Sequence, residues 1–220
     1  STPIKSSAAS DVYKRQNVGR SEQYEDLFPA LITDWRRQWR SDFPFYFVQL
    51  ANFMESKEIQ PDSEWAALRE AQTKALKLDQ VGMAVTIDIG LADDIHPKNK
   101  QEVGRRLALV ALVGSYGKNV SGSAPVFRNY RIKGDKMELD FGQKQDGFQI
   151  KGTTLKGFTI AGPDRVFYPA EAMVQNGKII VFSPEVSIPL AARYGWADNP
   201  DCNLYGENGL PVAPFRTDCW

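Results

Sequence analysis

The stretch that decides the fold is residues 45–87, FYFVQLANFMESKEIQPDSEWAALREAQTKALKLDQVGMAVTI. It opens on a short apolar run, Phe45 to Leu50, of the length and character of a buried strand. Pro61-Asp62-Ser63 then signals a helix start, and Trp65, Leu68, Gln72, Ala75 and Leu76 recur at helical spacing to give that helix an inner face. Val81 to Ile87 is a second strand-like run. Strand, helix and strand in this order predict two parallel strands with the helix crossing over one face.

Working outward, the same alternation continues on both sides. Tyr24, Leu27, Phe28, Leu31, Ile32, Trp35 and Trp39 advance in steps of three, one and four, as one face of an amphipathic helix does. Arg36, Arg37 and Arg40 enrich its last turns, where the helix macrodipole favours cations, and Pro44 is read as its stop. Downstream, Pro97 occupies the place of a first-turn proline, and Val103, Leu107, Val110 and Ala111 supply a further apolar face. From about Asn119 the helical period disappears. The runs Arg128–Ile132, Met137–Phe141, Gly157–Ile160 and Lys178–Phe182 are separated by Gly134-Asp135, Gln145-Asp146-Gly147 and Asn176-Gly177. Asn-Gly between strand-like runs marks a hairpin, so residues 119–196 are expected to form an antiparallel β-module. Residues 197–220, rich in proline, glycine and asparagine, read as an ordered irregular tail packed through Tyr205, Phe215 and Trp220.

The composition removes several functional classes. Lysine plus arginine and aspartate plus glutamate both number 27, and this zero net charge argues against a nucleic-acid binder. No uncharged apolar run approaches the roughly 18 residues that span a bilayer. Cys202 and Cys219 fit no zinc spacing and read as free thiols, with a disulfide as the alternative in an oxidising compartment. Residues 1–16 are polar and serine-rich, with neither helical nor strand period, and read as a disordered or foreign segment ahead of the domain. The domain organisation expected is therefore residues 1–16, an α/β core over 17–118, and a β-module with its tail over 119–220.

Ligands of open parallel sheets bind at the carboxyl ends of the strands. The loop there, after the 81–87 run, carries Asp88, Asp93, Asp94 and His96, and His96 is the single histidine of the chain. A carboxylate two or three residues before a histidine can fold back onto the imidazole Nδ1. That would fix the tautomer and leave Nε2 free as a general base. The alternative is that Asp94 caps the following helix and His96 is merely exposed. A third reading joins Asp88, Asp93 and His96 as metal ligands, a mostly carboxylate set that is common on surfaces holding no metal.

The segment Ile87-Asp88-Ile89-Gly90, continuing with Asp94-Ile95-His96-Pro97-Lys98-Asn99-Lys100-Gln101-Glu102-Val103-Gly104-Arg105-Arg106-Leu107, resembles the histidine block of the sialate O-acetylesterase family, SGNH-type carbohydrate esterases. Residues 27–36, 43–51, 167–171 and 193–218 are similar to other parts of that family, so the resemblance spans residues 17–220. It implies a partial flavodoxin-like SGNH core followed by the β-module. It also implies removal of O-acetyl groups from sialic acid or related sugars by a serine–histidine mechanism with no metal or other cofactor. Carried over, His96 matches the base. Asp93 matches the acid three residues upstream, with Asp94 its rival. Asn17 matches an oxyanion-binding asparagine. Tyr13-Lys14-Arg15-Gln16 departs from the Gln-Gly-Glu-Ser expected before that asparagine, and no Gly-Gln-Ser-Asn-Met-like nucleophile block is found. Ser21 and Ser115 sit in helix-end contexts instead. The expectation is a C-terminal fragment, inactive alone, of a periplasmic or secreted enzyme.

For the sugar, Gln49 and Asn52 after the first strand and Arg69 and Gln72 on the crossover helix are candidate binding residues, with loop and helix-surface roles as alternatives. Arg193, Tyr194, Trp196, Asp198 and Asn199 resemble a sugar platform, against the alternative that they pack the β-module onto the core. A carbohydrate-binding or packing module without catalysis is the competing function.

Overall fold

The computed structural model describes residues 18–142 and 147–220. Among these, the first half of the chain supplies helices α1 (Ser21–Trp39), α2 (Glu64–Lys74) and α3 (Lys100–Gly114) around strands β1 (Phe45–Val48) and β2 (Val81–Ala84). The two strands pair in parallel, Phe45 with Val81 through Val48 with Ala84. Alternation along them divides the helices between the faces. Phe45, Phe47 and Met83 join Phe28 and Ile32 of α1 in one buried cluster, and Thr73 of α2 reaches Met83. On the other face Val110 of α3 lies over Gly82, where an added Cβ would come within 2.3 Å of Val110 Cγ1. Tyr46 OH, on the same face, bonds Ser115 Oγ at 2.7 Å.

Three boundaries differ from the sequence reading. α1 ends at Trp39 because Arg40 turns left-handed (φ 49°), ahead of Pro44. The second strand stops pairing at Ala84, although Val85 and Ile87 stay in the core. α3 starts at Lys100, capped by Asn99, whose Oδ1 accepts from Glu102 N at 3.1 Å. Neither Asp94 nor Pro97 therefore starts that helix.

The second half forms β3 (Asn129–Lys133), β4 (Lys136–Asp140), β5 (Phe148–Ile150), β6 (Phe158–Ala161), β7 (Phe167–Pro169), β8 (Glu171–Gln175), β9 (Lys178–Phe182), β10 (Ala191–Tyr194), β11 (Leu204–Gly206) and β12 (Phe215–Arg216). Every strand pair other than β1–β2 is antiparallel among the described residues. The sheet β3-β4-β9-β8 and the sheet β12-β10-β6-β7 share one core. In it Met137, Leu139, Ile179 and Val181 meet Phe158, Ile160, Tyr194 and Phe215. Two of the three turn signals form hairpins; of the third, Gln145 and Asp146 lie outside the described residues. Gly134 (φ 62°) turns β3 into β4, and Asn176 with Gly177 (φ 52° and 72°) turns β8 into β9. The tail is more regular than expected: β11 pairs with β5 and β12 with β10, because its backbone completes two sheets. Its Ala213 reaches the α/β core, so the tail bridges both cores. No helix among the described residues is long and apolar enough to cross a membrane.

Candidate active site

Residues 85–98 leave the carboxyl end of β2 as an irregular loop held at several points. Thr86 Oγ1 donates to Gln49 O at 2.6 Å. Asp88 receives Arg106 Nη1 and Nη2 at 2.5 and 2.8 Å and the Tyr205 hydroxyl at 3.1 Å. Arg106 also donates to Val85 O at 2.8 Å, so one α3 side chain closes the first turn of the loop. Gly90 N–H donates to Asn52 Oδ1 at 2.7 Å, and Met54 N–H donates to Ala92 O at 3.1 Å.

At the tip, Asp94 Oδ1 accepts the His96 backbone N–H at 2.9 Å and lies 3.5 Å from His96 Nδ1. That backbone hydrogen bond, with the nearby imidazole and Lys98, holds the Asp94 carboxyl below the usual carboxylate range. The His96 side chain is 65% exposed, so its far edge is open to an incoming group. Asp93 is also exposed, and the carboxylate set against the imidazole is that of Asp94. Asn17 and the segment 1–16 lie outside the described residues.

The remaining candidates are placed differently from the sequence reading. Gln49, Arg69 and Gln72 are 1%, 0% and 0% exposed and line no open cleft wall or helix surface. Gln49 Nε2 donates to Arg69 O and Thr73 Oγ1, and Gln72 Oε1 accepts from Leu50 N. Arg69 donates to Leu50 O, Ala51 O, Ala197 O and Asp198 O. The physical reason is that the chain turning away from β1, and the tail beside it, present main-chain groups that no sheet satisfies: Arg69 on the inner face of α2 supplies donors to the carbonyls, and Gln72 on the same face accepts the Leu50 N–H. Asn52 is half-buried; its oxygen takes Gly90 N–H and its nitrogen donates to Asn199 Oδ1 at 2.7 Å.

The supposed sugar platform is packing. Tyr194 is fully buried, and Arg193 is bound to Asp218 at 2.9 and 2.6 Å. Trp196 is 8% exposed, with the Arg193 and Arg216 guanidinium groups 5.0 and 4.8 Å from its ring. Asp198 accepts from Gln60 Nε2 and Ser63 Oγ, both at 2.6 Å. As for metal ligation, Asp88 is committed to Arg106 and Tyr205, and the described residues contain no cluster of three His, Cys, Asp or Glu side chains fit to hold an ion. Cys202 and Cys219 are free thiols, and burial pushes Cys202 up to about 12. A separate cleft of about 480 Å³ opens between the N-terminal ends of α1 and α2 and the tail. It is lined by Arg20, Arg216 and Trp220 among others, but by no residue of the His96 loop.

Sequence reasoning missed the parts played by Arg106, Tyr205 and Asn199. For Arg106 a signal existed: Glu102 and Arg106 stand one helical turn apart, and the Arg106 Nε–Glu102 bond of 2.8 Å aims the guanidinium at the loop. Tyr205 and Asn199 carried none, since they meet the loop only through the tail.

No family model matches the chain. It is 29% identical over 219 residues to a sialate O-acetylesterase of Mus musculus, a match covering 87% of this chain and 40% of that protein. The sialate O-acetylesterase of Homo sapiens is 29% identical over 225 residues, covering 89% and 42%. The crystal structure of a carbohydrate acetylesterase from Xanthomonas citri superposes with a TM-score of 0.85 at 45% identity, over 90% of this chain and 46% of that one. The chain thus spans about two-fifths of the length of the curated relatives it matches. It is similar in sequence to sialate O-acetylesterases and shares its SGNH-like α/β form with a carbohydrate acetylesterase.

Proposed function

We propose that this chain carries the histidine side of an active site that removes O-acetyl groups from a sugar, sialic acid or a related one. The observation that carries the reading is the pairing of an open imidazole with the Asp94 carboxylate, 3.5 Å from Nδ1, on the loop leaving the carboxyl end of a parallel strand. The names of the relatives support ester chemistry on an acetylated sugar. In this reading a serine hydroxyl attacks the acetyl carbonyl and passes its proton to His96 Nε2. Asp94 keeps the Nδ1 proton in place and stabilises the imidazolium, and His96 returns the proton to the departing sugar oxygen. Water then repeats the sequence on the acetyl-serine. Asn17 is assigned, from the resemblance alone, as a donor to the oxyanion.

The nucleophilic serine belongs to a segment outside this chain's 220 residues, and the chain alone is inactive. By the same reading, β1 and β2 are part of a wider flavodoxin-like parallel sheet, and the enzyme works in a periplasmic or secreted setting. The test is hydrolysis of p-nitrophenyl acetate and O-acetylated sialic acid, by this chain alone and by the chain joined to the remaining segment of a relative. The lone chain is expected to give no turnover. The joined protein is expected to hydrolyse both, with His96→Ala lowering kcat by about 10²–10⁴-fold. Turnover by the lone chain that His96→Ala abolishes would refute the missing nucleophile. An unchanged rate in the joined His96→Ala protein would refute the base.

A further inference from the structure

The His96 ring has little packed around it, so its aim depends on the backbone that carries it. That backbone is held by residues remote in sequence. Asn52 Oδ1 takes Gly90 N–H at 2.7 Å, and a Cβ on Gly90 would fall 1.9 Å from Asn52 O, so only glycine permits this approach. Asn52 is in turn held by Asn199, whose Oδ1 accepts Asn52 Nδ2 at 2.7 Å and whose Nδ2 donates to Met54 O at 2.7 Å. Met54 N–H grips Ala92 O, two residues before Asp94. One tail amide therefore braces both points at which residues 52–54 hold the loop. Asn199 is itself seated by its neighbour Asp198, bound to Arg69, Gln60 and Ser63. At the other end of the loop the Tyr205 hydroxyl reaches the same Asp88 carboxylate that Arg106 clamps.

We infer that Asn52, Asn199 and Tyr205 are positioning residues for His96: the tail acts through Asn52 on Gly90 and through Asp88 on the loop's start, and so sets where the Asp94–His96 pair points. Asn52 is thereby reassigned from sugar contact to loop brace, since both its amide oxygen and its amide nitrogen are engaged. The functional meaning rests on His96 being the base, but the geometry can be read without any turnover.

His96 is the sole histidine in the chain, so its imidazole gives one unambiguous signal. The experiment uses the full chain, with the His96 Hε1 resonance and amide hydrogen exchange measured in wild type, Asn199→Ala and Tyr205→Phe. In Asn199→Ala the Gly90 amide is expected to exchange roughly fivefold to tenfold faster, the effect of one lost hydrogen bond transmitted through Asn52. The Hε1 line should broaden or split, while Phe45–Val48 and Val81–Ala84 keep their protection. Tyr205→Phe, which keeps the ring, should move the Hε1 line with a two- to threefold rise in exchange at Ile89 and Gly90. Unchanged Gly90 exchange and an unchanged Hε1 line in folded variants would overturn the inference. So would a uniform rise across the strands, which marks a merely structural role. If Asn199→Ala does not fold, Tyr205→Phe decides alone. None of these outcomes touches the base assignment, which fails separately if His96→Ala leaves the joined enzyme's rate intact.

Discussion

Replacing Arg69 by methionine removes a fully buried guanidinium while keeping much of its volume. The side chain makes four bonds to main-chain oxygens, at 3.0 Å to Leu50, 3.1 Å to Ala51, 2.7 Å to Ala197 and 2.7 Å to Asp198. A hydrogen bond from a charged donor contributes about 1.5–3 kcal/mol, and a buried acceptor left unsatisfied costs about as much. The four are not additive, because the two loops relax together and the methionine recovers apolar contact. A net loss of about 3–5 kcal/mol follows, against a total stability on the order of 5–15 kcal/mol for a protein of this kind. For about 200 residues that corresponds to a fall in Tm of roughly 6–20 °C. The assay is thermal and urea unfolding followed by circular dichroism, with Arg69→Lys as the companion. One ammonium cannot reach carbonyls on both loops in the fork geometry, so lysine is expected to restore less than half of the loss. A loss below about 1 kcal/mol, or full restoration by lysine, would refute the claim that this guanidinium ties the tail to the turn after β1.

Three further outcomes follow from the same geometry. Arg106→Met strands the Asp88 carboxylate, 9% exposed, with the Tyr205 hydroxyl as its remaining donor among the described residues, and is expected to cost about 3–5 kcal/mol in urea unfolding. Asp88→Asn in the same chain should recover part of that, and no recovery would mean the ion pair is not the cause. Glu102, bound by Arg105 and Arg106, and Glu138, bound by Lys133 and Lys178, are each held down to about 2 from an ordinary value of 4.5. Because the folded value is the lower one, their contribution is complete above about pH 4.5 and is lost as pH falls toward 2. Solvent screening keeps it to about 1 kcal/mol or less each, and Glu138→Gln should flatten the fall of the urea midpoint between pH 5 and 2; an unchanged slope would count against the pairing. Gly177→Ala puts a Cβ at φ 72° in the β8–β9 turn and is expected to lower stability by about 1–2 kcal/mol, read from the melting midpoint.

Much of this architecture was legible residue by residue. The apolar runs at 45–50 and 81–87 and the helical spacing of 24–39 and 65–76 report buried faces directly, and the parallel pair with its helices follows. Gly134-Asp135 and Asn176-Gly177 dictate their hairpins through local backbone preference alone. The closeness of a carboxylate to His96 was likewise visible, because the one that meets the ring is only two residues away.

What the chain order could not convey is where polar side chains go when a distant segment needs them. Gln49, Arg69 and Gln72 look like cleft residues in the sequence, yet the structure turns them inward: Arg69 to the carbonyls of residues 50–51 and 197–198, Gln72 to the Leu50 N–H, and Gln49 to Arg69 O and Thr73 Oγ1. Which of Asp93 and Asp94 lies beside Nδ1 depended on which carboxylate the turn aims there, and that is Asp94. The tail read as irregular because glycine, proline and asparagine describe its local backbone, while its strands exist through pairing with β5 and β10. Periodicity along a chain records which face of an element avoids water. The donors that a remote loop's orphaned acceptors require are settled only when the two segments are packed together, and that is why Asn199 and Tyr205 took their places at the histidine loop only in three dimensions.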